Sequence, residues 1–395
     1  MSDAILISEL RPRGFLSFGP DTEPIKLGPL NVLIGPNGSG KSNLIEAICF
    51  LRSAPISLED FLRKGGGVRE WIWKGEGNES ASVSAVVTTP AAPIQRAHLL
   101  NFRPEGQLFQ LTDESVKTVQ AIGESERYSY HLLGSKPSIK LKQFTKIGSG
   151  EWVTMRAGTV DTNASILSQR QDPDQYPEIT HLANQYRAIR TYREWSFGRT
   201  ASIRMPQAAD MRSDKLEEDF SNLGLFLNSL RRNSAAKRAI QKSLTDLYAG
   251  ITDFDVSILG GTVQVFLEEG EFQIPATRLS DGTLRYLCLL AILLDPTPPP
   301  LICIEEPELG LHPDIISKLA KLMIDASKHT QLVVTTHSDL LIDALSEQPD
   351  SVLVCEKHDG KTLIQRLDAE HLKPWLKDYG LGQLWLKGEI GGTRW

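Results

Sequence analysis

The sequence predicts an α/β fold with a mainly parallel core sheet, an antiparallel β subdomain and a helical lobe. Three observations carry that expectation. From residue 284 onward, apolar segments alternate: a helix over 284–294, a buried strand over 301–304, a helix over 314–327, a strand over 332–336, a helix over 339–346 and a strand over 351–355. That order implies parallel strands joined by helical crossovers. Near the other end, "AILISEL" and "LNVLIG" read as strands, and the second runs through a glycine loop into "KSNLIEAICFLRS", apolar at helical spacing until Pro55. Between these parts, residues 66–205 carry turn signals and alternating segments ("ASVSAVVT", "RYSYHLL", "EWVTMRAG"), so antiparallel β is expected there. Residues 215–249 return to helical spacing, and "FDVSILGGTVQVFLEEGEFQIP" reads as strands joined by a Gly-Gly turn and an acidic turn. The expected division is a discontinuous core of 1–60 and 284–395, a β-rich subdomain of 61–205 and a helical lobe of 206–283.

At 395 residues and 41% hydrophobic content, the chain can bury one large core or two linked ones. A formal charge of −6 argues against a generally basic nucleic-acid binder, so any such contact must be local. Cys49, Cys288, Cys303 and Cys355 lie far apart in apolar contexts without zinc or disulfide spacing, which fits buried thiols in a reducing compartment. No basic start precedes a long apolar run, and the longest apolar segments are too short for a bilayer, so a cytoplasmic protein without membrane contact is expected.

The glycine loop "GPNGSGKS" fits G-x-x-x-x-G-K-[ST] in its required strand–loop–helix setting. Gly35, Pro36, Asn37, Gly38, Ser39 and Gly40 form the loop, and Lys41, Ser42 and Asn43 open the helix. Inward-turned N–H groups and a helix N-terminus make an anion nest; Lys41 reaches the β and γ phosphates of ATP, and the Ser42 hydroxyl ligates Mg2+. The acidic run in "ICIEEPELGLHP" then finds a partner, because ligands gather at the carboxyl ends of parallel strands. Glu305 is expected to face Mg2+, and Glu306 to orient or deprotonate the attacking water. Without the glycine loop, these glutamates would read as a solvated turn. "RLSDGTLRYLCLL" sets Ser280 and Gly282 at a helix start, a second anion site. His337, in "VVTTHSDLL", ends a strand where it can hydrogen-bond a γ-phosphate.

Together, "LNVLIGPNGSGKSNLIEA", "LSDGTLR", "EEPELGLHP" and "VVTTHSDLLID" resemble the ABC-type ATPases of the SMC, RecF and OLD-like branch, often labelled AAA family ATPases and including phage-defence ATPases. The resemblance implies a P-loop ABC-type ATPase head. It also implies a head-to-head homodimer with two ATP-Mg sandwiched between protomers, Walker A of one chain facing Ser280 and Gly282 of the other. Glu306 would be the catalytic carboxylate, Glu305 the Walker B magnesium position and His337 the switch histidine, with Leu311, His312 and Pro313 in the loop crossing the interface. Two departures stand out: Glu305 where the family has aspartate, and Asp281 where the transporter-type signature has glycine. The Q-loop glutamine is not evident, with Gln207 a weak candidate.

No heptad run occupies residues 60–275, so the long coiled coil of SMC-like relatives is not expected. Only 58 residues follow His337, without an acidic D-x-D cluster, so a nuclease domain in the same chain is not expected either. The output is therefore assigned to a separate effector, nuclease-like or toxin-like, in a defence or DNA-maintenance system. A RecF/SMC-like DNA-binding repair ATPase and a nucleotide-locked scaffold with little hydrolysis remain the alternatives. Basic residues from Arg187 to Arg238 leave residues 181–240 at net +5, which suits either a nucleic-acid patch or a solvated face with local ion pairs. Trp375, Trp385 and Trp395 in the last segment suit either partner docking or packing on the head.

Overall fold

The computed structural model describes residues 5–89, 92–119, 127–133, 140–144, 150–154, 160–161, 163–248 and 250–392. The chain divides into two compact units: Met1–Ile189, Asp350–Leu367 and Ile390–Trp395 form the first, and Arg190–Pro349 with Asp368–Glu389 the second.

The first unit contains an antiparallel sheet of eight strands: β1 (Ile7–Arg13), β2 (Ile25–Lys26), β4 (Ala81–Thr89), β5 (Ala92–Glu105), β6 (Leu108–Thr118), β7 (Arg127–Leu133), β8 (Lys140–Phe144) and β9 (Gly150–Thr154), in the order β2-β1-β4-β5-β6-β7-β8-β9. It also holds β3 (Leu30–Ile34), which pairs in parallel with β17 (Val352–His358); β18 (Lys361–Arg366) runs antiparallel to β17. All five residues of β3 are buried, four of them apolar, as suits a strand covered on both faces, and the buried Asn31 amide is satisfied by the Gly28 backbone (2.8 Å both ways). Helices α1 (Lys41–Ser53), α2 (Leu58–Lys64), α3 (Ile166–Gln169) and α4 (Pro177–Ala188) complete this unit.

The second unit is built on the parallel strands β10 (Arg190–Tyr192), β15 (Leu301–Glu305) and β16 (Gln331–Thr335), with β15 between the other two. A smaller antiparallel sheet joins β11 (Gln207–Ala208), β12 (Ile251–Leu259), β13 (Thr262–Glu269) and β14 (Phe272–Pro275), all pairing with β13. Its helices are α5 (Leu223–Leu230), α6 (Ser234–Leu247), α7 (Asp281–Leu293), α8 (Pro313–Ala326), α9 (Asp339–Asp343), α10 (Ala369–Leu372) and α11 (Leu381–Leu386). Among the described residues, no helix is long and apolar enough to cross a membrane.

The alternation expected after residue 284 is present, with each boundary within a few residues. Two stretches differ from expectation. Residues 215–222 are not helical: the Asn222 amide donates to the carbonyls of Arg212 and Lys215 (2.9 and 2.7 Å) and accepts from the Glu217 N–H (2.9 Å), so a side chain satisfies backbone groups that a helix would have paired. The expected antiparallel β also ends before residue 205. Proline at N1 starts α4, whose Tyr186 is fully buried, and β10 joins the parallel set.

A buried polar cluster ties the β sheet to the segment leading into α4. Glu114 Oε1 accepts from Ser165 Oγ (2.6 Å) and lies 3.2 Å from His98 Nε2, while Oε2 accepts from the Ile166 N–H (2.9 Å). His98 Nδ1 is 3.2 Å from the Tyr186 hydroxyl. Removing the carboxylate leaves several buried partners unsatisfied, so Glu114→Ala is expected to destabilise the chain by about 3 kcal/mol. Glu114→Gln should lose about half of that, because it keeps one acceptor; urea unfolding followed by circular dichroism checks both.

Candidate nucleotide site

The phosphate loop leaves β3 at Gly35 and enters α1 at Lys41. Gly35 has φ 141°, and a Cβ there would collide with the Cys355 carbonyl. Gly40 has φ 102°, and a Cβ would strike the Thr362 hydroxyl. Both positions therefore demand glycine. The β17–β18 hairpin backs the loop: Thr362 Oγ1 donates to the Ser39 carbonyl (2.8 Å) and sits 2.7 Å from Ser17 Oγ. Asn43 turns its amide onto Ser17 Oγ (2.7 Å). Burial pushes the Cys355 thiol up to about 12, so it stays neutral beneath the loop, although Lys41 pulls the other way.

Lys41 is buried, and its ammonium donates to the loop carbonyls of Gly35 (2.8 Å) and Pro36 (3.0 Å). The Ser42 hydroxyl stands on an exposed residue in the first turn of α1, and Asn37 and Gly38 are exposed at the tip. Ser39 Oγ is buried without a hydrogen-bond partner. An unpaired hydroxyl, a lysine folded onto its own loop and a glycine-enforced concave backbone all fit a bound polyphosphate.

In the second unit, β15 delivers the carboxylates. Four buried apolar residues precede Glu305, whose Oε1 lies 3.1 Å from Arg193 Nε, an ion pair without hydrogen-bond alignment. The Glu305 carbonyl accepts from Trp195 Nε1 (2.8 Å). Glu306 has φ 45°, a left-handed conformation costly for a side chain with a Cβ. Its N–H donates to the Thr335 carbonyl (3.0 Å), and its carbonyl accepts from Arg285 Nη1 (3.0 Å). Arg285 is itself buried, stacked 4.7 Å from the centre of the Trp195 ring. His337 Nε2 lies 3.7 Å from Glu306 Oε1.

Ser280 caps α7, accepting from the Thr283 N–H (3.1 Å). A Cβ on Gly282 would lie 2.5 Å from the Gly310 carbonyl, so the start of α7 and the turn after β15 are in tight contact. Asp281 is paired with the buried Arg204, which also donates to the carbonyls of Leu279 (2.6 Å) and Phe197 (2.7 Å). The extra negative charge at this turn is thereby matched by a cation. His312 and Pro313 are exposed at the start of α8, and Leu311 is partly exposed.

Sequence reasoning passed over Trp195 and Arg285, and read Arg193 and Arg204 only as members of the basic run. None carries a spacing signal; only the parallel pairing of β10 with β15 and the folding back of residues 193–204 explain them. Glu308 was visible in the acidic run without a role: it is buried, and its Oε1 accepts from Thr336 Oγ1 (2.6 Å) and the His337 N–H (3.0 Å), holding the histidine's backbone. Gln207 has both ends of its amide engaged, to Phe220 O (2.8 Å) and from Gly224 N (2.7 Å), and serves as a loop brace. Of the basic run, Arg193, Arg204, Arg212, Arg231 and Lys237 are paired with carboxylates. All four cysteines are buried and free. Trp385 is buried and Trp375 half exposed, while Trp395 lies outside the described residues.

The fold is that of an SMC-type ATPase head. The structure is similar to an SMC head bound to the C-winged helix domain of ScpA (15% identity, TM-score 0.59, 93% of this chain and 99% of that one). It is also similar to a Pyrococcus furiosus Smc head with an extended coiled coil bound to the C-terminal domain of ScpA (14%, 0.57, 94% and 99%). A Pyrococcus yayanosii Smc head with a coiled coil and joint is a third (12%, 0.52, 94% and 99%). At these identities the likeness concerns fold. No curated protein matches. The sequence model described as "AAA domain, putative AbiEii toxin, Type IV TA system" matches residues 30–343, and the chain belongs to that family.

Burial is the largest influence on Glu308 and raises its carboxyl above the ordinary 4.5, while the Thr336 and His337 hydrogen bonds oppose the rise. A raised folded value means that this contribution to stability is complete below 4.5 and is lost as pH rises through the folded value. Glu308→Gln is therefore expected to flatten the decline in unfolding midpoint above pH 5, about the ordinary carboxyl range. Glu308→Ala should lose about 2 kcal/mol. Thermal melts across pH check both.

Proposed function

We propose that the chain is an ATP-hydrolysing switch that dimerises head-to-head around two ATP-Mg and controls a separate effector. The observation that carries this reading is Glu306, held left-handed between Thr335 and Arg285 directly after Glu305. Strained backbone kept at a strand end, beside a histidine, is what a positioned reactive carboxylate needs. Lys41 and the loop's backbone N–H groups take the phosphates; Ser42 is the metal oxygen of the phosphate loop, and Glu305 that of the β15 strand end. Among the described residues, no cluster of three or more His, Cys, Asp or Glu is arranged to hold a metal alone, so binding would rely on nucleotide oxygens as well. Bound Mg2+ supplies charge neutralisation at the phosphates.

Glu306 orients or deprotonates the attacking water, and His337 senses the γ-phosphate next to it. Ser280 and Gly282 serve the partner protomer's nucleotide. Closure by ATP and opening after hydrolysis follow from differential affinity for the closed state. The setting is prokaryotic defence, in the cytoplasm, with a toxin-like or nuclease-like effector; the family's description, which names a putative toxin of a type IV toxin–antitoxin system, supports the toxin–antitoxin part of it. A scaffold that hydrolyses little is the second reading, favoured by the arginine already seated on Glu305. The carboxylate pairing along residues 193–237 weighs against a DNA-binding repair ATPase.

Phosphate release and light-scattering mass with Mg-ATP test this reading. The wild type is expected to turn over, and Glu306→Gln to lose at least about a hundredfold in rate while accumulating as an ATP-bound dimer. A wild type that neither hydrolyses ATP nor dimerises would sink it.

A further inference from the structure

We propose that Arg193 is a tethered cation on the Glu305 carboxylate, which a divalent metal must displace, giving the chain a built-in threshold for metal loading. This deepens the reading of Glu305 as a metal oxygen and rests on it. The placement follows from register. β10 and β15 pair in parallel as Arg190 with Ile302, Thr191 with Cys303 and Tyr192 with Ile304, so the next step along both strands sets Arg193 beside Glu305. The guanidinium Nε is 3.1 Å from Glu305 Oε1, with the two side chains 28% and 20% exposed.

A carboxylate this far out of water requires a counter-charge, and Arg193 supplies it in the absence of metal. The pair is displaceable because it is incomplete: Oε1 receives no aligned hydrogen bond. A divalent ion carries twice the charge and approaches a carboxylate oxygen more closely than a guanidinium does. The arginine cannot diffuse away, however. Two residues on, Trp195 Nε1 donates to the Glu305 carbonyl (2.8 Å), and its ring stacks within 5.4 Å of Phe220. Arg193 therefore competes at a high, fixed local concentration.

Mn2+ is the probe, counted as the loss of its free electron paramagnetic resonance signal on titration with protein carrying one equivalent of a non-hydrolysable ATP analogue. Arg193→Gln is expected to bind Mn2+ at least threefold more tightly than the wild type, and the gain should vanish in Arg193→Gln/Glu305→Gln. Equal or weaker binding by Arg193→Gln, or a gain that survives removal of Glu305, overturns the proposal. Should Arg193→Gln fail to fold by circular dichroism, Arg193→Met, which also removes the cation, is expected to show the same tightening, and its absence overturns the proposal equally. Fluorescent ATP binding in EDTA on the same samples separates the two levels. Loss of nucleotide binding defeats the ATPase reading, whereas retained nucleotide binding without the Mn2+ tightening defeats this proposal alone.

Discussion

Glu306 keeps a left-handed backbone although it is not glycine, and the second unit is arranged to make that possible. Its N–H is fixed by Thr335 on β16 and its carbonyl by Arg285 on α7. Arg285 is held under Trp195, which also grips the Glu305 carbonyl. The start of α7, the turn after β15 and the loop leaving β10 are thus braced against one dipeptide. Arg204 extends the brace to the residues flanking Ser280. Two successive carboxylates at a strand end would otherwise repel each other and pay for desolvation. Here Arg193 faces Glu305, and His337 stands 3.7 Å from Glu306.

The phosphate loop answers the opposite need. It is short of negative charge rather than rich in it: Lys41 turns to its own carbonyls, and Ser39 Oγ has no partner. Gly35 and Gly40 are pressed against Cys355 and Thr362, so the hairpin of β17 and β18 sets the loop's curvature as firmly as its own sequence does.

Most of the fold was legible in the sequence because its signals are local. Short apolar runs marked β3, β15 and β16 as buried strands, and Ser280 before an apolar helical run marked the start of α7. Lys41, Ser42, Glu305 and Glu306 were legible because a phosphate loop and an acidic strand end each have a chemical reason at fixed spacing. Arg193, Trp195, Arg204 and Arg285 were not, because their roles come from pairing between segments 21 to about 110 residues apart, which no local pattern records. Asn222 misled for a related reason: a helical spacing of apolar residues says nothing about a side-chain amide that captures three backbone groups.

Single-turnover ATP cleavage by Glu306→Gly, read beside its unfolding midpoint, tests most directly whether the left-handed backbone is maintained for the carboxylate it carries. Glycine relieves the conformational cost, about 1 kcal/mol, while removing the acid group. The account predicts a midpoint equal to or above that of the wild type, with cleavage slowed at least about a hundredfold. Cleavage within about tenfold of the wild type would contradict it, because the strained residue would then be dispensable to the chemistry.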